Sequence, residues 1–374
     1  RSNAAVGLMS DAGYSLDGNT VSGYAPTTID NVDLGWEKTR SWNLGLDLGF
    51  LKNRITVALD IYRKLTDGML YEVTVPASMG LEDNRAWDNV GSIENKGVEL
   101  EISSRNLTGP LKWTTSFNIA YNKNEILSMG DNNTAIYGGW NNSNTHVFMV
   151  GEPMRSYYMY DAIGVYQTEE DLRRYATMEG QKVGDIRYRD VNGDGIINDS
   201  DRTLVGKARP DFTWGLTNKF NYKRFDLTVT LTGQWGGHLY SLLGRTIDRN
   251  SAGPGRGNLL AKWLHSWFSE EDPGDGVTPS FLSTTTSDLY DTRWLYKSDF
   301  VKIKNVMLGY NIPINKKFAS KLRTYFSIQN LYTWDKYDGG FSPEASTYGS
   351  KKTGYDFGSY PMARVYTLGV NMEF

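Results

Sequence analysis

The sequence predicts an all-β fold, an antiparallel transmembrane β-barrel segment of about nine strands belonging to a larger barrel and carrying long extracellular loops. Three observations predict it. Apolar and polar residues alternate with period two, segment after segment. Tight turns alternate with very long connections. Aromatic residues are abundant, with 24 Tyr, 11 Trp and 14 Phe, although mean hydropathy is only −0.49.

Over residues 41–50, Trp42, Leu44, Leu46, Leu48 and Phe50 alternate with Asn43, Gly45, Asp47 and Gly49, and residues 51–53 turn the chain. The return strand sets Ile55, Val57, Leu59 and Ile61 against Thr56, Ala58, Asp60 and Tyr62. Val98, Leu100 and Ile102 oppose Glu99, Glu101 and Ser103. After a turn at 106–110, Trp113, Thr115, Phe117, Ile119 and Tyr121 face away from Thr114, Ser116, Asn118 and Ala120. Phe212, Trp214 and Leu216 then oppose Thr213, Gly215 and Thr217; beyond a turn at 222–224, Phe225, Leu227, Val229 and Leu231 oppose Asp226, Thr228, Thr230 and Thr232. Near Lys304 and Asn305 the apolar set changes phase, as it would at a β-bulge. Its partner carries Phe326 and Ile328 opposite Arg323, Ser327 and Gln329.

The last strand carries Tyr366, Leu368, Val370, Met372 and Phe374 at every second position. A strand ending on an aromatic in this way resembles the signal read by the outer-membrane barrel-assembly machinery. The alternative is an ordinary edge strand.

A one-sided sheet of a soluble sandwich would alternate too. Here the second face holds Glu99, Glu101, Asp226 and Gln234, which suit a wet lumen better than a dry core. Segments of about 10 residues have the length that a tilted membrane strand needs. The long connections, at 66–96, 123–210, 237–297 and 335–360, all fall on one edge, as the outer loops of a barrel do. No stretch approaches the ~20 consecutive apolar residues of a membrane helix. Girdles at both interfaces would account for the aromatic excess, and membrane lipids are the expected surroundings.

Net charge is −3, which argues for no nucleic-acid partner. Cysteine is absent, excluding disulfides and thiolate chemistry, and the histidines, His146, His238 and His265, are too scattered for a zinc site. No HExxH, GxSxG or phosphate-binding loop is present, so catalysis has no support.

The sharpest local motif is residues 190–201, which match an EF-hand-type calcium loop. Asp190, Asn192 and Asp194 would supply side-chain oxygens and Ile196 its carbonyl. Asn198 would bind directly or through water, and Asp201 would close the site. The expected cofactor is a structural calcium ion inside a long outer-loop insertion, 123–211. The alternative is an Asx- and glycine-stabilised turn without metal. Glu169, Glu170 and Asp171 after Thr168 read as a capped helix start. In the second outer loop, 237–297, Leu259, Leu260, Trp263, Leu264 and Trp267 would share the face of a short helix, either packed on the barrel or docking a partner. The loop aromatics Tyr137, Trp140, Tyr157, Tyr158 and Tyr160 could stack on sugars, line a partner contact or pack within the loop.

Six stretches carry a family resemblance: LGWEKTRSWNLGLDLGFLKNRITVALDIYRKLTDGML (34–70), NVGSIENKGVELEIS (89–103), VGEPMRSYYMYDAIGVYQTEEDL (150–172), GDIRYRDVNGDGIINDSDRTLVGKARPDFTWGLTNKFNYKRFDLTV (184–229), DFVKIKNVMLGYNIP (299–313) and YFSIQNLYTW (325–334). In order and spacing they resemble the C-terminal barrel half of SusC/RagA-type TonB-dependent receptors. The resemblance implies residence in the outer membrane of a Gram-negative bacterium and a 22-stranded, plugged barrel opened by the TonB complex. It also implies a SusD-like surface lipoprotein partner and active import of glycans or peptides. Without a signal peptide, TonB box, plug or first barrel half, the sequence is expected to be part of a longer polypeptide. The competing functions are a passive, porin-like channel and a surface carbohydrate-binding β-protein.

Overall fold

The computed structural model describes residues 8–28, 30–81, 85–130, 132–139, 143–249, 259–283, 285, 288–314, 320–345 and 353–374. Its frame is an antiparallel sheet of nine strands: β1 (Lys38–Phe50), β2 (Ile55–Asp67), β3 (Ser92–Thr108), β4 (Leu111–Ser128), β5 (Phe212–Tyr222), β6 (Phe225–Trp235), β7 (Phe300–Ile312), β8 (Lys321–Asp335) and β9 (Val365–Glu373). Each strand pairs with the next, so the sheet is a meander. Among the described residues β1 and β9 do not pair, and the sheet is open.

Register turns the alternation of each strand into rows that run across the sheet. One row passes through Trp113, Phe220, Leu227, Leu308, Phe326 and Leu368. Another passes through Leu46, Leu59, Leu100, Ile119 and Trp214. Among the described residues nothing covers this face. Leu44 is 65% exposed and Leu368 79%, as no core residue of a water-soluble sheet would be.

Aromatic pairs border the apolar band at both ends. Trp113 stacks on Phe220 (5.5 Å) and Phe225 packs on Tyr310 (4.8 Å) near the tight turns. Tyr121 packs on Phe212 (4.9 Å), Trp214 on Trp235 (5.6 Å) and Tyr332 on Trp334 (4.8 Å) near the long connections. From Phe212 to Tyr222 the strand rises ~33 Å, or roughly 24 Å along the normal at a ~45° tilt. That matches the ~25 Å apolar band of outer-membrane barrels.

The opposite face is polar and internally paired. Arg323 grips Asp226 through Nε (3.0 Å) and Nη2 (2.5 Å). Gly309 lies between the two, where a Cβ would strike both side chains. Tyr62 donates to Asn122 (2.9 Å) and lies across Gly97, and Tyr325 lies across Gly369. The shift expected near Lys304 is present, with register slipping between Ile303 and Asn305 against both neighbouring strands.

Tight turns close one edge of the sheet. Residues Leu51, Lys52 and Asn53 all have positive φ, and Arg54 N donates to Phe50 O (3.0 Å). Ahead of the sheet, a hairpin pairs Leu8–Leu16 with Asn19–Thr28 across Asp17 and Gly18, both at positive φ.

Arginine placed at Leu368 or Val229 should cost about 2–4 kcal/mol near the bilayer midplane, and arginine at Thr228 far less. Unfolding of the full-length protein into denaturant from lipid vesicles measures this. Equal tolerance on the two faces would invert or remove the lipid-facing assignment.

Candidate functional site

Three long connections, 129–211, 236–299 and 336–364, do not splay apart but share one core. Tyr157, Met159 and Ala208 from the first meet Tyr240, Leu242 and Trp294 from the second and Tyr355 from the third. Backbone pairing ties them. The strand His238–Ser241 pairs antiparallel with Leu295–Lys297 and parallel with Tyr355–Asp356. Buried polar contacts add to this: Tyr188 Oη donates to Asp291 (2.7 Å), which also holds Arg293, and Ser241 Oγ donates to Gly339 O. Ordering so long a chain costs ~1–2 kcal/mol per residue in backbone entropy, so a shared core is what makes a fixed cap possible.

His146 is enclosed by two tyrosines of this cap. Its ring lies 4.5 Å from that of Tyr157 and edge-on to Tyr355 at 4.9 Å, with Nδ1 2.8 Å from Tyr355 Oη. Burial, and secondarily the Arg155 charge, push the imidazole down to about 3. Burial likewise raises the phenol of Tyr166 to about 12.

The expected calcium loop is corrected by the structure. Among the described residues no group of three or more His, Cys, Asp or Glu side chains could hold a metal ion. The carboxylates close on their own chain instead. Asp190 accepts Gly193 N (2.7 Å) and Gly195 N (3.0 Å), and Asp194 accepts Ile196 N (2.9 Å) and Asn192 Nδ2 (2.9 Å). Asp201 is fully buried and accepts Val191 N (2.9 Å) and Asn198 N (2.8 Å), while Asn198 caps Ser200 N (2.9 Å). Ile196 O faces Asn198 Nδ2 at 3.5 Å. Residues 190–201 form an Asx-stabilised turn rather than a calcium site.

The loop aromatics separate by burial. Tyr157 is fully buried in the cap core, and Tyr160 is buried with its hydroxyl on Asp199 (2.9 Å). Tyr137 is exposed and packs on Tyr158 (5.4 Å), over which Arg202 also lies (5.6 Å). Trp140 lies outside the described residues. The capped helix is present as α1 (Glu169–Arg174), where Thr168 Oγ1 accepts Asp171 N (3.2 Å).

The helix expected in the second connection is a five-residue 3-10 turn, Ala261–His265, which leaves Leu259, Leu260 and Trp267 outside it. Trp267 packs into the cap and donates to Gln167 O (3.2 Å), and Trp263 donates to Asp248 (3.0 Å). Leu264 points outward, together with Phe268, Phe281 and Leu282; Leu264 is 85% exposed and Leu282 83%. Sequence reasoning missed Phe268, Phe281 and Leu282, because no helical or strand period groups them.

This arrangement has a lipid-type outer face, a polar inner face and a structured cap that presents apolar side chains, and the comparisons fit it. The profile described as TonB dependent receptor-like, beta-barrel matches residues 3–331. The chain belongs to this family. It is of the SusC/RagA type, and its sheet is a segment of an outer-membrane receptor barrel. TonB-dependent receptor P3 of Formosa agariphila is 32% identical over 96% of this chain and 36% of its own length. TonB-dependent receptor SusC of Bacteroides thetaiotaomicron is 29% identical over 92% of this chain and 32% of its own. The RagAB peptide importer in its open-open state shares the fold, with a TM-score of 0.80 at 23% identity, covering 100% of this chain and 38% of that one. The chain thus spans about a third of the length of these relatives.

His146 should make the cap acid-sensitive. Its folded pKa lies below the unfolded value near 6.5, so the unfolded chain takes up a proton that the folded cap refuses. Cap stability should therefore fall as pH drops from 6.5 toward 3. Protease cutting within 129–211 should increase between pH 6.5 and 5, and His146→Asn should remove that dependence. A slope unchanged by the substitution would assign it to other groups.

Proposed function

We propose that the full-length protein actively imports an oligomeric nutrient, a glycan or a peptide, across the outer membrane in a TonB-dependent cycle. A SusD-like surface lipoprotein covers the cap. In this reading the nine strands are part of a 22-stranded, plugged barrel, and the connections 123–211 and 237–297 are extracellular.

The observation that carries the reading is the folded cap on one edge of a membrane sheet, with Leu264, Phe268, Phe281 and Leu282 exposed on it. Large apolar side chains left exposed on a folded cap favour a protein partner over free solution. The names of the relatives support TonB-dependent transport, and the peptide importer that shares the fold makes a peptide one of the candidate cargoes. A barrel wide enough for an oligomer leaks unless plugged, and opening a plug needs energy from outside a membrane that has no ATP.

Uptake of candidate glycans and peptides should cease on loss of TonB, and the partner should copurify. Phe268→Asp with Leu282→Asp should weaken that copurification by ~10-fold or more, about 1.4 kcal/mol. Uptake unchanged without TonB would make the protein a passive channel. Glycan binding by protein extracted without detergent would make it a surface-binding protein.

A further inference from the structure

The apolar face does not end in neutral side chains at the edge of the long connections. Its outermost wide row is Leu44, Ile61, Val98, Tyr121, Phe212 and Trp235. Two residues further along each strand, on the same face, the row reads Trp42, Arg63, Lys96 and Lys123. Three cations thus stand side by side on adjacent strands, each side chain about half exposed at 50%, 48% and 49%. Two residues of strand rise by ~6.8 Å, so at a ~45° tilt the cations lie about 5 Å beyond the aromatic row, at the depth of lipid phosphates.

Adjacent like charges repel, and the carboxylates behind them offset this only in part. Glu94, 4% exposed, is shared by Arg63 Nε (2.5 Å) and Lys96 Nζ (2.6 Å), and Glu125 holds Lys123 Nζ (2.7 Å). Beside Lys123, just ahead of the start of β5, a cleft of about 480 Å³ opens between Tyr121, Lys123, Pro153, Lys207, Arg209 and Phe212. Lys207 is held by Asp211. Arg209 is exposed and has no ion pair among the described residues. The cations Arg63, Lys96, Lys123, Lys207 and Arg209 outnumber Glu94, Glu125 and Asp211, leaving an excess of positive charge around the cleft.

We propose that this rim cleft binds the phosphate of an outer-leaflet lipid headgroup, with Lys123 and Arg209 as its principal contacts and Arg63 and Lys96 flanking. A guanidinium and an ammonium with unused donors suit a phosphate, which brings several acceptor oxygens and up to two charges. Tyr121 and Phe212 continue the cleft into the apolar band, so acyl chains of the same lipid can lie on the sheet. A free anion would gain nothing from that continuity, which is why the site is assigned to a lipid. The inference rests on the proposed orientation, with the long connections outside.

The test uses the full-length protein, stripped of lipid in detergent, with bis-phosphorylated lipid A, dephosphorylated lipid A and inorganic phosphate as probes, read by native mass spectrometry. Phosphorylated lipid A should bind at least tenfold tighter than the dephosphorylated form. Lys123→Gln with Arg209→Gln should erase that preference while leaving the fold and heat-modified gel mobility intact. Equal binding of the two lipids, or a preference kept by the double variant, overturns the proposal, as does displacement by millimolar phosphate, which would mark a free-anion pocket. In parallel, Leu282→Cys is probed on intact cells with a membrane-impermeant maleimide. Labelling without a lipid A preference overturns the lipid site alone; absence of labelling overturns the orientation and the lipid site with it.

Discussion

Everything in this molecule depends on one lateral constraint: backbone amides and carbonyls inside a bilayer must pair with neighbouring strands, because lipid offers them nothing. The seven inner strands meet that demand on both sides in an unbroken meander, the outer edges of β1 and β9 have no partner among the described residues, and the register that pairs the backbones also aligns their side chains. One residue of slip in one strand would send its apolar set to the wet face and its polar set into lipid. The shift between Ile303 and Asn305 shows how the sheet absorbs an irregularity, since a residue is looped out and both flanking phases stay correct.

The two faces solve different problems. Toward lipid the sheet needs only apolar and aromatic surface at the right height, and pairs such as Trp113 with Phe220 and Tyr121 with Phe212 mark the two limits. Toward the lumen, charges must be paired or wet. Arg323 and Asp226 are paired, and Gly309 gives them room by having no side chain. Beyond the membrane band the problem reverts to that of a soluble domain. The cap solves it with a shared core of Tyr157, Tyr240, Trp294 and Tyr355 and with buried polar contacts such as Asp291 with Tyr188.

The membrane sheet was legible in the sequence because period two is a local property, written within each strand. Even the bulge near Lys304 left its mark as a change of phase. The Asp17–Gly18 hairpin also carries a local signal, an Asp-Gly pair between extended segments. The cap was illegible for a physical reason: its core joins residues some 200 positions apart, such as His146 and Tyr355, and no local pattern encodes that meeting. The same limit explains the calcium loop. Residues 190–201 have the oxygen spacing of a metal site, but sequence cannot say whether those oxygens point at an ion or at their own amides, and here they point at the amides. Tyr157 and Tyr160 were candidates for ligand stacking by composition, and burial takes both into the cap interior.

One face of the sheet meets lipid and the other meets water. The most direct measurement is a nitroxide scan of residues 366–372 in the full-length protein in lipid vesicles, reading collision with oxygen against a water-soluble nickel chelate. Positions 366, 368, 370 and 372 should collide with oxygen, and 367, 369 and 371 with nickel, in strict alternation. Flat accessibility along the strand, or the opposite phase, would contradict the account.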